Sequence, residues 1–246
     1  MQNTVIIDCF AESVPRYRRG YAVVVVDVVR ATTTAATAVA AGRRCFPVPT
    51  VEAARTLAGE IEGALLAGEQ GGTMPPGFDL NNSPTELLAR SDVARPLILL
   101  SSSGTRLLHE ASRCEAAVVA CLRNYVSVAE QMPWSYRHVA VIGAGTRGEF
   151  REEDQMCCAW VAERLVARGY LPENRETVDI VKRWSGAPID SWIHNKSAAY
   201  LRSSGQEADL EFILNHVDDL DASLILRYGQ VMASQNGIET SLNHAG

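Results

Sequence analysis

The four consecutive valines at residues 23–26 constrain the fold of this chain more than any other feature. A continuous apolar run of this kind is typical of a strand that is buried on both faces, as in a parallel sheet covered by helices. Asp27 follows where the apolar run weakens, and residues 35–41 form a helix-favouring run that Gly42 ends. The sequence therefore predicts a strand, a short polar turn and a helix in direct succession.

The polar turn carries the residue types of an anion site or a metal–phosphate site. Asp27 and Arg30 precede Thr32 and Thr33, which stand just before the helical run. The free N–H groups and the dipole of a helix N-terminus favour bound anions, and hydroxyl groups can add hydrogen bonds. In the alternative interpretation, Thr32 only caps the helix and Asp27 is a solvated strand end.

Composition narrows the classes of function. The 246 residues are 47% hydrophobic and 21% charged, as in ordinary globular proteins. A net charge of −6 argues against a general nucleic-acid binder, and no apolar run approaches membrane-spanning length. The first residues lack the basic and apolar regions of a secretory signal, so a cytoplasmic location is expected. The six cysteines are scattered, and the C-x5-R spacing of Cys158 and Arg164 falls in a bulky helical segment unsuited to a phosphate loop.

Apolar runs alternate with helix signals along the first two thirds of the chain. Further strands are expected at residues 5–9, 45–48, 64–67, 97–100, 116–121 and 138–142. This alternation predicts a three-layer α/β/α fold with a largely parallel or mixed sheet. Residues 1–246 are expected to form one domain. Within it, residues 172–246 are expected to be a mostly helical extension packed on the rest, with residues 224–226 as a candidate last strand.

Four further segments place polar residues after a strand or before a helix. An acid follows the strand at 64–67, and the loop at 70–82 ends in a capping box that begins with Ser83. A serine-rich turn follows the strand at 97–100, and acids begin the helix after the strand at 138–142. An open α/β sheet binds ligands at the carboxyl ends of its strands, so we expect these segments to meet at one edge. The candidate residues are Glu69, Gln70, Asp79, Asn82, Ser102, Ser103, Gly104, Thr105, Gly145, Glu153 and Asp154.

Residues 143–148 match the G-x-G-x-x-G pattern of dinucleotide-binding folds and follow a strand. The rest of that context is missing, because the acid expected about twenty residues later falls inside the next helix, near Glu163. Four acids also crowd the start of that helix, where they would repel a pyrophosphate. They suit the helix dipole or a metal ion instead.

Taken together, these motifs resemble the 2-phosphosulfolactate phosphatases of coenzyme M biosynthesis. The resemblance runs in order from about residue 3 to residue 230. Its motifs are residues 27–34, 68–69, 77–80 with 82–84, 104–105, 143–148 with 153–154, and 197–201 with 205 and 209–210. It implies an α/β enzyme that hydrolyses a phosphate monoester with Mg2+ and without a phosphocysteine intermediate.

The resemblance also implies roles for individual residues. Catalytic roles are expected for Asp27, Arg30, Glu69 and Asp154. The implied Mg2+ ligands are Asp27, Glu69, Asp79, Glu153 and Asp154. The substrate is expected to contact Thr32, Thr33, Gln70, Asn82, Ser102, Ser103, Gly104, Thr105 and Gly145. We expect Asp27 to bind metal rather than to attack phosphorus, because Val29 stands where phosphatases that form a phosphoaspartate carry a second acid.

Three positions depart from the family pattern. Gln70 replaces an arginine, Ser103 replaces an asparagine, and Asn81 replaces a glycine. An arginine offers a permanently charged planar fork for phosphate or sulfonate, which glutamine lacks. The expected partner is a small anionic phosphorylated metabolite, with neither nucleic acid nor membrane, and a homodimer is one option for the assembly. The alternatives are a divergent member that acts on another phosphorylated or anionic metabolite, and a nucleotide-binding or metabolite-binding protein without turnover.

Overall fold

The computed structural model describes residues 2–132 and 136–234. Ten strands in these residues form one sheet. They are β1 (Thr4–Cys9), β2 (Tyr21–Val26), β3 (Cys45–Val48), β4 (Leu65–Gly68), β5 (Leu97–Leu100), β6 (Ala116–Ala120), β7 (His138–Gly143), β8 (Leu171–Pro172), β9 (Leu224–Arg227) and β10 (Gln230–Ala233). Their order across the sheet is β4-β5-β3-β10-β9-β6-β2-β7-β1-β8.

Helices cover both faces of the sheet. The α-helices are α1 (Ala31–Ala40), α2 (Val51–Glu60), α3 (Pro84–Leu88), α4 (Gly104–Ala111), α5 (Tyr125–Gln131), α6 (Glu152–Ala167), α7 (Arg175–Trp184), α8 (Lys196–Ser203) and α9 (Glu207–Asn215). Short 3-10 helices span Ala11–Tyr17 and Ile189–Trp192. None of the helices in the described residues is long and apolar enough to cross a membrane.

The valine run confirms the three-layer fold, because its side chains alternate between two cores. Val24 and Val26 pack in a core with residues of α5 to α9. Val23 and Val25 pack in a second core with residues of α1 and α4. All four valines are fully buried. The strand therefore carries apolar residues at every position because both of its faces lie against helices.

The sheet is mixed. Strands β4, β5 and β3 pair in parallel, as do β6, β2, β7, β1 and β8. The antiparallel hairpin of β9 and β10 lies between these two sets. It meets β3 through Val231 opposite Cys45 and meets β6 through Ile225 opposite Val118.

The C-terminal segment contributes to the sheet as well as to the helical layers. Residues 172–234 supply α7, α8 and α9, and also the two strands that separate the parallel sets. Residues 235–246, the last part of the expected extension, lie outside the described residues. The candidate strand at 224–226 is confirmed as β9, whereas β10 was not expected.

Two helix starts matter for the site. Helix α1 begins at Ala31, four residues before the expected run, because its threonines form part of the first turn. At α3, Ser83 Oγ accepts a hydrogen bond from the Glu86 amide at 3.1 Å, as the capping box predicts. The Glu86 carboxylate accepts instead from the Asn81 amide, also at 3.1 Å, and so fixes the turn that contains Asn82.

Candidate active site

A cleft of about 580 Å³ opens where the segments after β1, β2, β4, β5 and β7 meet helix α8. The expected convergence of strand ends therefore holds for the segments after β2, β4, β5 and β7. The sequence-predicted residues that line this cleft are Asp27, Arg30, Glu69, Asn82, Ser102, Ser103 and Gly145.

Asp27 is the most deeply buried acid of the cleft wall, with 6% of its surface exposed. Its Oδ1 accepts a hydrogen bond from the Ala31 amide at 3.2 Å, in the first turn of α1. Burial raises the pKa of Asp27 from 3.8 to about 7, and the charges of Glu69 and Glu153 add to the rise. The Ala31 hydrogen bond and the Arg30 charge act in the opposite direction. Asp27 is thus a carboxyl group that a nearby cation would stabilise in its ionised form.

Glu69, near Asp27, forms hydrogen bonds with the loop after β4 and with the loop after β5. Its Oε1 accepts a hydrogen bond from the Ser102 amide at 2.7 Å. Its Oε2 accepts from the Gly72 amide at 2.7 Å and from Ser102 Oγ at 2.9 Å. The Ser102 hydroxyl therefore donates to Glu69 and helps to hold the Glu69 carboxylate at the cleft.

Asp154 and Glu153, at the start of α6, lie behind the cleft wall rather than on it. Asp154 accepts hydrogen bonds from the amides of Val28 at 2.8 Å and Gly145 at 3.3 Å, which joins the turn after β2 to the glycine loop. Burial and the charges of Asp27 and Glu153 raise the pKa of Asp154 well above its usual value. Glu153 is 1% exposed, and its Oε2 accepts from Asn195 Nδ2 at 2.6 Å. Burial raises its pKa as well.

Asp79 and Gln70 stand apart from this group. The Asp79 carboxylate is 39% exposed, accepts a hydrogen bond from the Leu66 amide of β4 at 2.9 Å and lies 3.9 Å from Arg95. The Gln70 side chain is exposed, although the flanking Glu69 and Gly71 line the cleft. Of the five expected carboxylates, Asp27 and Glu69 therefore face the cleft, and Glu153 and Asp154 lie behind its wall. The backbone of β4 holds Asp79 elsewhere.

The threonine hydroxyls brace the turns instead of facing the cleft, contrary to expectation. Thr32 Oγ1 donates to the Asp27 carbonyl at 2.8 Å and accepts from the Asp27 amide at 2.9 Å. Thr33 Oγ1 donates to the Val28 carbonyl at 2.8 Å. Thr105 Oγ1 forms the same pair of bonds with Ser101, each at 2.9 Å. In each turn the O–H group donates to a buried backbone carbonyl after a strand, so it is not available to donate to a phosphate oxygen.

Gly104 has a packing role at the start of α4. A Cβ atom at this position would lie 2.2 Å from Asp27 Oδ2 and 2.7 Å from Ala31 Cβ. The turns after β2 and β5 therefore touch directly, and this contact requires glycine.

The glycine loop does not present a phosphate cradle of the dinucleotide type. Gly145 has a φ of +60°, and a Cβ atom there would lie 2.5 Å from the Phe10 ring. Its amide is directed at the Asp154 carboxylate, and Gly143 leaves room for the Phe150 ring. Gly143 and Gly145 therefore allow aromatic rings to pack closely, and the Gly145 amide binds Asp154. This agrees with the sequence, in which the other features of a dinucleotide-binding fold are missing.

Whether the acids fit a magnesium ion depends on the number of ligands required from the protein. No three His, Cys, Asp or Glu side chains within residues 2–132 and 136–234 form a group that could hold a metal ion by themselves. Mg2+ is commonly held by one or two carboxylates, with water and substrate phosphate as the other ligands. Asp27 and Glu69 face the cleft, and the Glu69 charge raises the pKa of Asp27, so this pair fits that smaller donor set.

The structure adds a basic rim that the sequence did not reveal. Arg106 pairs with Glu12 at 2.8 Å, Arg151 pairs with Glu149 at 2.8 Å, and Lys196 also pairs with Glu149. Arg147 has no ion-pair partner among the described residues. These side chains come from the segments after β5 and β7 and from α8, and only Arg147 falls in a motif, at a variable position of the glycine pattern at 143–148. They lie on the cleft together with Ser197 and Tyr200. The rim residues are Arg106, Arg147, Arg151 and Lys196.

Comparison with known proteins places the chain in a family. The model of the 2-phosphosulpholactate phosphatase family matches residues 9–225. The chain belongs to this family. A probable 2-phosphosulfolactate phosphatase from Thermus thermophilus is 36% identical over 77% of this chain and 81% of its own length. Proteins of the same description from Deinococcus radiodurans and Clostridium perfringens strain SM101 are 32% and 28% identical. These matches cover 76% and 91% of this chain and 80% and 93% of the relatives.

Membership in the 2-phosphosulpholactate phosphatase family supports a hydrolase that acts on a phosphate ester. The match includes the whole cleft, from Phe10 to Tyr200, and extends through α9. Cys158 is excluded as a nucleophile, because it is fully buried in α6 and burial raises its pKa well above the usual value. The geometry therefore directs attention to the acids and the arginine of the cleft.

Proposed function

We propose that this chain is a Mg2+-dependent phosphatase that hydrolyses a small acidic phosphate monoester of the 2-phosphosulfolactate type. The observation that carries the proposal is the position of Asp27, a buried acid whose pKa is raised to about 7, beside Glu69 in a cleft that Arg30 also lines. Buried acids with raised pKa values beside an arginine are characteristic of functional clefts.

Arg30 is suited to bind the phosphate group. Its side chain is 4% exposed and lines the cleft, so its charge acts where water screens it little. The guanidinium is planar and permanently charged, and its fork of N–H donors matches phosphate oxygens. Asn82, 2% exposed, adds an amide to the same wall.

Asp27 and Glu69 are the residues that would hold Mg2+. When bound, the ion neutralises phosphate oxygens and activates water. The backbone contacts described above keep the two carboxylates in place before any ligand arrives. Because Asp27 accepts the Ala31 amide and Glu69 accepts those of Ser102 and Gly72, neither has to rearrange on binding.

The basic rim supports a substrate with a second anionic group. The four cations Arg106, Arg147, Arg151 and Lys196 surround the cleft of a chain whose net charge is −6, and only two acids, Glu12 and Glu149, pair with them there. A cationic rim on an acidic protein attracts a small polyanion selectively to this cleft. The rim thus favours a phosphate ester that also carries a carboxylate or a sulfonate over a simple alkyl phosphate.

The test is a panel of phosphate monoesters assayed by release of inorganic phosphate. The protein is first treated with a chelator and then supplied with Mg2+, Ca2+ or no metal. The proposal expects turnover with Mg2+, strongest for esters with a carboxylate or sulfonate, and loss of turnover in Asp27→Asn. Equal turnover without metal would contradict the Mg2+ assignment. Binding of a nucleotide or metabolite with no hydrolysis across the panel would support the non-catalytic alternative instead.

A further inference from the structure

Helix α9 contributes an acid that reaches the back of the cleft from the C-terminal part of the chain. Asp209 is 1% exposed, and its Oδ2 lies 2.5 Å from Arg30 Nη1. Both side chains are removed from water, since Arg30 is 4% exposed. A buried charge pair of this kind fixes the orientation of the Arg30 guanidinium, because water cannot replace either partner.

The second oxygen of the same carboxylate holds the turn that contains Asn82. Asp209 Oδ1 accepts from Ser83 Oγ at 2.8 Å, from Thr85 Oγ1 at 2.5 Å and from the Thr85 amide at 3.2 Å. With the Arg30 bond to Oδ2, the carboxylate accepts four hydrogen bonds, three of them at Oδ1. Asp209 is buried and does not line the cleft, so it acts on a ligand only through the groups that it holds.

Arg30, which Asp209 holds directly, and Asn82, in the turn next to Ser83, both line the cleft. A guanidinium has five N–H donors, and the Asp209 bond uses one on Nη1. Asn82 Oδ1 is buried and has no hydrogen-bond partner among the described residues. Buried polar atoms are normally paired, so this unpaired acceptor indicates a ligand that brings a hydrogen-bond donor or a cation to the cleft wall, whereas phosphate oxygens are matched to the N–H donors of Arg30.

We propose that Asp209 is a positioning residue, which aims Arg30 at the phosphate of the substrate and holds the turn of Asn82 beside it. This inference rests on the proposed function, since it assigns Arg30 to phosphate binding. The competing partner of Arg30 is Asp27, whose ionised form the Arg30 charge favours. Without the Asp209 charge, Arg30 is drawn towards Asp27, and it then blocks the acid instead of facing the ligand.

The experiment compares three variants of the full chain. Asp209→Asn keeps the shape and an acceptor for the Ser83 and Thr85 bonds but removes the charge that holds Arg30. Thr85→Val removes one bond to Oδ1 and leaves the Arg30 pair intact, and Glu211→Gln removes an exposed acid of the same helix. The readouts are the Kd of inorganic phosphate by calorimetry with Mg2+ present, kcat and KM on the best ester of the panel, and Tm.

We expect Asp209→Asn to weaken phosphate binding by about tenfold or more, since hydrogen bonds to charged groups are typically worth about 1.5–3 kcal/mol. KM should rise with it. Thr85→Val should lower Tm and leave the phosphate Kd within about twofold of the wild-type value, and Glu211→Gln should change neither. A folded Asp209→Asn protein with unchanged phosphate affinity overturns the inference alone. A wild-type chain that binds no phosphate and hydrolyses no ester of the panel overturns the proposed function as well.

A second measurement does not depend on the folding of Asp209→Asn. Guanidinium 15N–1H resonances of Arg30, assigned by their loss in Arg30→Lys, are recorded for the wild-type chain before and after addition of inorganic phosphate. An arginine held by Asp209 gives resolved signals before phosphate is added, and these shift on binding. Signals averaged by free rotation in the phosphate-free protein would refute the positioning role.

Discussion

Replacing Asp27 with asparagine should make the metal-free chain more stable at pH 8 while abolishing its activity. The ionised carboxylate of Asp27 is buried beside Glu69 and Glu153, and this raises its pKa from 3.8 to about 7. A folded-state pKa above the unfolded value means that the stabilising contribution is complete below pH 3.8 and is lost as the pH rises through about 7. The wild-type chain therefore loses stability from Asp27 between about pH 4 and pH 8.

The size of the effect follows from the pKa shift. One pKa unit corresponds to about 1.4 kcal/mol, so the rise at Asp27 is worth at most about 4 kcal/mol. Asparagine keeps an oxygen that can accept the Ala31 amide but carries no charge to desolvate. Loss of the Asp27 charge also removes one of the charges that raise the pKa of Asp154. The gain in unfolding free energy from Asp27→Asn should therefore grow as the pH rises.

The assay is urea unfolding of the chelator-treated proteins at several pH values from 4 to 8. The difference in unfolding free energy between Asp27→Asn and wild type should increase by up to about 4 kcal/mol across this range. Asp79→Asn, which changes a carboxylate that is 39% exposed and lies outside the cleft, is the matched control and should follow the wild-type profile. Parallel profiles for Asp27→Asn and wild type would refute the reasoning.

Mg2+ supplies a second readout from the same proteins. If Asp27 holds the ion, millimolar Mg2+ raises the Tm of the wild-type chain, because a ligand that binds the folded state stabilises it. The increase should disappear in Asp27→Asn and persist in Asp79→Asn. An equal Mg2+ shift in Asp27→Asn would remove Asp27 from the set of metal ligands.

Further predictions concern the packing and the specificity of the cleft. Gly104→Ala places a Cβ atom 2.2 Å from Asp27 Oδ2, so unfolding experiments should show a loss of about 1–3 kcal/mol, together with reduced kcat. Gly59→Ala, in α2 with no atom within 4 Å of the added Cβ, should instead be neutral or stabilising by about 1 kcal/mol. Gln70→Arg should raise kcat/KM for sulfonated or carboxylated phosphate esters about tenfold, and an unchanged ratio across the panel would show that this position does not set specificity. Arg147→Ala should raise KM by about tenfold for esters with a second anionic group and little for simple alkyl phosphates, and an equal rise for both classes would contradict its assignment to the second group.

The valine run and its neighbours determined much of the fold without reference to the rest of the chain. A strand that is apolar at every position needs cover on both faces, and the two cores that share residues 23–26 provide it. The helix start at Ser83 could be predicted because the hydrogen bond from the Glu86 amide to Ser83 Oγ joins residues only three positions apart. Asp27 and Glu69 were recognisable for a related reason, since each is an acid directly after a buried strand.

Sequence patterns gave wrong contacts for residues whose side chains can form hydrogen bonds with more than one kind of partner. Thr32 and Thr33 looked like phosphate ligands, yet their hydroxyls satisfy backbone groups of Asp27 and Val28. This bonding also explains why α1 begins at Ala31, although threonine has only modest helix propensity. Asp79 was placed with the other acids because it precedes a helix, but the Leu66 amide of β4 engages its carboxylate.

Contacts between distant segments were decided by the tertiary structure alone. Strands β9 and β10 have four residues each, too few for a clear period, and pairing with β6 and β3 places them inside the sheet. Arg30 and Asp209 are 179 residues apart, and their bond depends on how α9 packs against α3. The sequence could identify the acid and the arginine of the cleft, because strand ends are local. It could not identify what holds them in place, because that depends on the packing of elements far apart in the chain.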